Sequence, residues 1–187
     1  MKIQKMDIFE MSKMQYIEKD LYKKSVVPFF KYIELFKNMT IIYILMSDQE
    51  INNLLLALEN ESNNSIMNLT TEKINTIKNN MLQKLQLDRD KLKFFHKKLK
   101  HYRYCSDMND LQYGFYIRWI NLNYPENLKL TNGGIIIDID IIKNCIQLRI
   151  KNNMNRIFQI KLDECCIFQK ITPQERVILG VLDYLEK

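Results

Sequence analysis

Apolar residues recur every three or four positions over much of the first half of the chain, which is the spacing of one face of an α-helix. Within residues 7–23 they stand among Lys, Glu and Asp: Ile8, Met11, Met14, Ile17 and Leu21. Residues 28–46 are apolar on most sides, which indicates a helix at the centre of a helical region. Ser47 and Glu50 match a capping box and predict a third helix that ends near residue 59.

A further helical pattern runs from residue 71 to about residue 102, and Asp88 interrupts its apolar stripe. The stripe consists of Met81, Leu85, Leu92, Phe95, Leu99 and Tyr102. We therefore predict a long helical segment here, followed by a polar hinge at residues 105–110.

After residue 111 the pattern changes to alternation, and aromatic and β-branched residues become frequent, as in strands. Strands are predicted at residues 113–120, 135–142, 145–150, 156–162 and 167–171. In the second of them, one face carries Ile135, Ile137, Ile139 and Ile141, and the other carries Asp138 and Asp140. Thr172 and Glu175, with Pro173 at the first helical position, form another capping box and predict a closing helix.

Short strands, alternating hairpins and the Gly133-Gly134 turn favour a small barrel. Residues 114–120, 130–135, 156–161 and 167–170 resemble, in their order, the strands of SH3-like barrels, which include Tudor-type and KOW-type modules. We expect an α+β protein in two parts. Residues 1–104 form an N-terminal helical region with a basic helix at its end, and residues 111–187 form a small SH3-like β-barrel with a C-terminal capping helix.

The amino-acid composition indicates a second resemblance and predicts the cellular compartment. The chain is rich in Asn, Lys and Ile and resembles small proteins encoded by large nucleocytoplasmic DNA viruses. No apolar run approaches the roughly 20 residues of a spanning helix, so no membrane partner is expected. The four cysteines, Cys105, Cys145, Cys165 and Cys166, lack zinc-ligand spacing. They predict free thiols in a reducing intracellular compartment: the host cytoplasm, or a virion if the protein is viral.

The net charge of +6 comes from a single segment. Residues 71–104 hold 10 Lys and Arg against 3 Asp and Glu, whereas the flanking regions are nearly balanced. Phosphate contacts are predicted for Arg89, Lys91, Lys93, Lys97, Lys98, Lys100 and Arg103. Such contacts give salt-dependent, sequence-independent binding, to which Phe94, Tyr102 and Tyr104 would add stacking on single strands. A solvated lysine-rich helix face, or an acidic protein partner, would explain the same residues equally well.

Other residues that could carry chemistry give weaker signals. Trp119 is expected in the core, which leaves Tyr116 and Arg118 outward, where they suit RNA stacking or a protein interface. Asp138 and Asp140 are either paired carboxylates or solubilising residues on a strand. His96 and His101 diverge on a helix and make a poor metal pair. No nucleotide fingerprint or phosphate loop occurs. We expect no enzymatic activity, no cofactor and no metal.

Two functions are compatible with these sequence features. The first is a non-catalytic interaction or structural protein with a protein partner, a subunit of a larger assembly such as a virion. Methionines favour it, because flexible Met-rich faces suit interfaces; in this chain they are Met1, Met6, Met11, Met14, Met39 and Met46. The alternative is an accessory nucleic-acid-binding protein that uses the basic helix at residues 89–103 and the barrel surface. The oligomeric state stays open.

Overall fold

The computed structural model describes residues 46–143 and 145–186. The helices predicted at residues 7–23 and 28–46 therefore lie, except for Met46, outside the described residues. The helices and strands, in chain order, are α1 (Asp48–Glu59), α2 (Thr71–Lys84), α3 (Arg89–Lys98), β1 (Tyr102–Cys105), β2 (Tyr116–Asn121), β3 (Gly134–Ile142), β4 (Cys145–Lys151), β5 (Ile157–Lys161), β6 (Cys165–Lys170) and α4 (Pro173–Leu185).

The chain divides into two compact units. Among the described residues, one unit contains those up to Thr71 together with those from Thr172 onwards, and the other contains those between Glu72 and Ile171. This grouping differs from the sequence-based division between residues 104 and 111. The helix α4, which follows the sheet in the chain, groups with α1 and not with the sheet.

In the first unit, α1 and α4 pack on one another through apolar residues. Their buried apolar positions are Ile51, Leu54, Ala57, Leu58, Ile178, Leu179 and Val181. Both predicted capping boxes are confirmed. At α4 the Thr172 backbone N–H donates to Glu175 Oε2 at 2.7 Å, and the Glu175 N–H donates to Thr172 Oγ1 at 3.1 Å. These bonds satisfy N–H groups that a helix N-terminus leaves without an intrahelical acceptor.

The second unit is built on a six-stranded antiparallel sheet in the order β1-β6-β2-β3-β4-β5. On one face, residues of α2 and α3 form a core with the strands: Leu82, Phe95, Leu99, Tyr102, Ile120 and Phe168. The opposite face has its own core, which includes Ile117, Trp119, Ile136, Leu148, Ile150 and Ile167. The expected α+β class is confirmed.

The sheet curls strongly but does not close into a barrel. The rings of Trp119 on β2 and Phe158 on β5 lie 6.0 Å apart, although β3 and β4 separate these strands in the sheet. Three strand spacings of about 4.8 Å would keep them much farther apart in a flat sheet. Within the described residues, β1 pairs only with β6 and β5 only with β4. The two edge strands therefore remain open.

The prediction of a helix that continues to residue 102 is wrong. The helical pattern splits where Gln86 adopts a positive φ of 48° and Asp88 caps α3 by accepting from the Lys91 N–H at 2.8 Å. The helix α3 ends at Lys98, and residues 102–105 form β1 instead. Local periodicity cannot show this strand, because its hydrogen-bond partner β6 lies more than 60 residues away along the chain.

The face assignment of β3 is also corrected. Its pairing with β4 shifts register between Ile136 and Asp138, as at a β-bulge. Ile136 and Ile139, paired with Ile150 and Leu148, pack in or against the core, whereas Ile135 and Ile137 are exposed. One inserted residue exchanges the two faces of a strand beyond the bulge, so strict alternation misplaces these isoleucines.

Candidate functional site

Helix α3 is short, capped at its first turn and basic at its last. Asp88 supplies the cap, and Asp90 adds a negative charge in the first turn, while Lys97 and Lys98 lie in the last turn. This distribution complements the partial charges at the two ends of a helix. Phe95 and Leu99 are buried in the core between α3 and the sheet, and they hold one side of the helix against it.

The opposite side of α3 combines lysines with an exposed aromatic ring. Lys93, Phe94, Lys97 and Lys98 are all exposed, and the Phe94 side chain is 51% exposed. The Lys98 Nζ lies 5.6 Å from the centroid of the Phe94 ring, which is cation–π distance. Phe94 is thus a large apolar side chain among cations at the surface, and it belongs to neither hydrophobic core of the second unit.

The end of β6 extends this cationic surface. Lys100 and His101 are exposed in the turn after α3, and the Ile171 N–H donates to the His101 carbonyl oxygen at 2.9 Å. Lys170, also exposed, is the register partner of Tyr102. It shares its side of β6 with Phe168, which faces the helices. We define the basic face as Lys93, Phe94, Lys97, Lys98, Lys100 and Lys170.

The lysines of the basic face make no ion pair with any described residue, although carboxylates elsewhere in the unit do pair with cations. Lys161 bonds to Glu164 at 2.5 Å, and Arg149 pairs with Asp138 and with Asp140. The positive charge of the basic face is therefore not neutralised within residues 46–143 and 145–186.

Three of the predicted phosphate ligands lie in different surroundings. Arg89 is exposed at the first residue of α3, between Asp88 and Asp90, and Lys91 is half-buried. The Arg103 side chain is only 2% exposed; its Nη2 donates to the Asp110 carbonyl oxygen at 2.8 Å, and Nη1 lies 3.8 Å from Asp110 Oδ1. Arg103 belongs to β1 rather than to the basic helix, and its guanidinium is not displayed for phosphates.

Trp119 is buried in the sheet core, as the sequence predicts, and Arg118 and Tyr116 occupy the other face of β2. The Arg118 Cζ lies 5.5 Å from the centroid of the Tyr102 ring. The Tyr116 hydroxyl donates to the Asn132 carbonyl oxygen at 2.7 Å. Burial raises the pKa of Tyr102, and the nearby Arg118 charge partly opposes that rise. Both predicted outward residues are thus half-buried and engaged with their own unit.

A buried lysine, Lys78, joins α2 to the turn that follows α3. The residue is only 4% exposed, and its Nζ donates to the carbonyl oxygens of Leu99 at 3.1 Å and Tyr102 at 3.2 Å, and to Asn75 Oδ1 at 3.2 Å. Burial lowers the pKa of the ammonium group. The lysine satisfies carbonyls at the end of α3 and so positions the turn that carries Lys100.

Sequence reasoning missed both Lys78 and Lys170. Lys78 does have a signal, because it stands four residues after Ile74 and four before Leu82, both buried on the same side of α2. Nothing in the sequence around Lys170 distinguishes it from other surface lysines. Only the pairing of β1 with β6 brings it beside the turn after α3.

The contacts or burial of the remaining candidate groups, the two aspartates of β3 and the adjacent cysteines of β6, indicate structural roles. Arg149 lies between Asp138 and Asp140 on the outer side of the sheet and pairs with both carboxylates. Burial raises the pKa of Cys165 to about 12 and that of Cys166 to about 11, so neither forms a nucleophilic thiolate near neutral pH.

No cluster of three metal-ligating side chains occurs in the described part of the chain. None of the described helices is long and apolar enough to cross a membrane.

A cavity of about 340 Å³ lies between α1 and α4 in the first unit. Its lining is Met46, Glu50, Asn53, Arg176, Val177, Gly180, Val181 and Tyr184. The Glu50 carboxylate accepts hydrogen bonds from the backbone N–H and the hydroxyl of Ser47, both at 2.8 Å, and these bonds lower its pKa. This carboxylate caps α1 and is not poised as a proton-transfer group.

No protein-family model matches the chain, and comparisons with curated proteins and with solved structures found no significant match. The SH3-like and viral resemblances therefore stay predictions.

Proposed function

We propose that this protein is a non-catalytic nucleic-acid-binding protein that contacts the phosphate backbone with its basic face. The observation that carries the proposal is the set of exposed lysines on one side of α3 and the adjoining turn, which have no carboxylate partner among the described residues. Lysines that neutralise phosphates release condensed counterions, which favours binding to a polyanion at low salt.

The sequence assigned phosphate contacts to residues 89–103, and RNA stacking or a protein interface to the outward residues of β2, Tyr116 and Arg118. The surroundings of the side chains favour a smaller set, centred on the second half of α3 and including Lys170. Asp88 and Asp90 offset Arg89 at the start of the helix, whereas Lys97, Lys98 and Lys100 follow without a nearby acid in the sequence. The site therefore acts as a local cluster of point charges, which suits backbone contacts better than base-specific readout.

Replacement of Lys93, Lys97 and Lys100 by Glu tests the proposal by fluorescence anisotropy with labelled DNA and RNA oligomers. We expect the triple variant to lose most of its affinity and the slope of log K against log salt to shrink by about 2 or more, since each lost contact removes about 0.7 to 0.9. Replacement of Lys129, Lys143 and Lys151 by Glu is the matched control, because these exposed lysines of the same unit give the same change in net charge.

Two outcomes would contradict the proposal. The first is an absence of binding by the unaltered protein at about 50 mM salt, where phosphate contacts are strong. The second is an equal loss of affinity in the two triple variants, which would show an effect of net charge rather than of the basic face.

We propose as a second candidate a structural subunit that assembles with another copy of the chain along β5. Large exposed apolar side chains concentrate on β3, on β5 and in the turn before β5: Ile135, Ile137, Ile141, Ile142, Met154, Ile157 and Phe158. The open edge of β5 presents unpaired backbone groups. Antiparallel pairing of two copies about Gln159 would set Ile157 opposite Lys161 and bring no like charges together.

Sedimentation velocity over a range of protein concentrations tests this candidate. We expect the unaltered protein to self-associate and Ile157→Lys to remain monomeric, because the new cation lies on the pairing edge. Leu56→Lys, at an exposed position of α1, adds the same charge elsewhere and should behave as the unaltered protein does. A monomer at every concentration, or equal effects of both substitutions, would rule out assembly along β5.

A further inference from the structure

Of the three aromatic residues that the sequence associates with base stacking, only Phe94 presents its ring at the surface. Tyr102 is buried against Arg118, and the ring of Tyr104 packs 5.7 Å from Phe168 in the core between the helices and the sheet. Phe94 is half exposed and belongs to neither core of the second unit.

The position of the Phe94 ring is set by its neighbour. Phe95 is buried under α3, and the two rings lie 6.2 Å apart with an angle of 55° between their planes. Because Phe95 and Leu99 anchor the helix, Phe94 projects from a fixed backbone rather than from a loop. An aromatic side chain on a rigid helix loses little conformational entropy when a flat ligand packs against it.

Cations surround this ring on the same face. Lys98 lies over Phe94, and Lys93 and Lys97, one turn apart along α3, are separated by about 6 Å of helix rise. Lys98 is exposed, so its flexible side chain can leave the ring and take a phosphate instead. The arrangement places an apolar stacking surface between charges that suit phosphates.

We infer that the basic face prefers single-stranded nucleic acid and that Phe94 stacks on an unpaired base. This inference rests on the proposed nucleic-acid function and deepens it. A duplex would meet only the lysines, because its bases are stacked on one another inside the helix. A single strand offers both a phosphate backbone and an open π-face, and base–aromatic stacking tolerates any sequence.

The test compares a thymidine oligomer with a DNA hairpin of equal phosphate number whose loop is a base-free linker, by anisotropy at low salt. We expect Phe94→Ala to weaken binding of the oligomer by about tenfold and to leave hairpin binding and both salt slopes nearly unchanged. Tyr124→Ala is the control, because Tyr124 is an aromatic residue of the same unit that is 68% exposed and lies outside the basic face.

Phe94→Trp gives a second readout that does not depend on affinity. Trp119 is the single tryptophan of the chain and is buried, so a tryptophan at position 94 adds an exposed fluorophore to a constant background. We expect the thymidine oligomer to quench this added emission, because a stacked base contacts the indole, and the hairpin to leave it largely unquenched.

The outcomes separate the two proposals. Suppose that the oligomer and the hairpin both bind with a steep salt dependence. If Phe94→Ala then changes the two affinities equally or not at all, and the two nucleic acids quench the tryptophan at position 94 equally or not at all, the inference about stacking is overturned. The phosphate-binding function stands in that case. If neither nucleic acid binds, both fail.

Discussion

At the scale of single residues, one lysine of the second unit, Lys78, is buried rather than exposed. Lys78 faces backbone carbonyls and an amide oxygen, with no carboxylate among its hydrogen-bond acceptors. Desolvation opposes its charge, and the hydrogen bonds to Leu99 and Tyr102 support it. The same residue type thus has two roles in one unit, since the lysines of the basic face remain hydrated.

We predict that Lys78→Met lowers the free energy of unfolding by about 1–3 kcal/mol, measured by urea denaturation. Methionine retains the apolar stem but removes the Lys78 donor from the Tyr102 carbonyl oxygen and leaves the Leu99 carbonyl oxygen with only the Tyr102 N–H. That loss should exceed the relief of desolvation. The folded-state pKa of Lys78 is lowered, so burial of the charged ammonium group destabilises the folded protein fully at pH values below that pKa. This destabilisation disappears as the pH rises from the folded pKa towards the unfolded pKa near 10.4.

The unaltered protein should accordingly gain stability relative to Lys78→Met as pH rises from neutral towards about 10. Glu72→Gln serves as a control for charge on α2, because Glu72 is exposed in the first turn of that helix. A Lys78→Met protein at least as stable as the unaltered one would contradict this prediction, because the relief of desolvation would then match or exceed the stabilisation from the lost hydrogen bonds.

At the scale of elements, the caps decide where the helices begin. The sequence correctly placed the starts of α1 and α4, because a capping box is a local pattern of residues three apart. In the sequence pattern, Asp88 is only an interruption of an apolar stripe and does not predict a helix start. In the structure its carboxylate caps α3, the helix in which Phe95 is buried and Phe94 is exposed.

Asp88→Ala should lower the free energy of unfolding by about 1 kcal/mol, because the Lys91 N–H loses its side-chain acceptor. Asp88→Asn keeps an acceptor at this position without the charge and should cost much less. The fluorescence of Trp119, buried in the same unit, can follow the urea transition. Equal losses in Ala and Asn would assign the effect to the charge of Asp88 at the helix N-terminus instead of to its hydrogen bond.

At the scale of the whole molecule, the curled sheet determines which residues of the second unit reach the surface. Its order places β6 between β1 and β2, so the last strand of the sheet pairs with the first two. The bulge in β3 turns Ile136 and Ile139 towards the core and leaves other isoleucines of that strand exposed. Local alternation cannot anticipate either feature. The strand order depends on pairing between segments distant in sequence, and the bulge depends on the register of β3 against β4.

The sequence by itself determined the α+β class, the capped starts of α1 and α4, the burial of Trp119 and the concentration of positive charge in residues 71–104. These features follow from local patterns and composition. Only the tertiary structure decided that Arg103 is buried in a strand, and that Lys170 lies beside the turn after α3. The physical reason is that burial and strand pairing are set by contacts between segments far apart in the chain, which short-range periodicity does not encode.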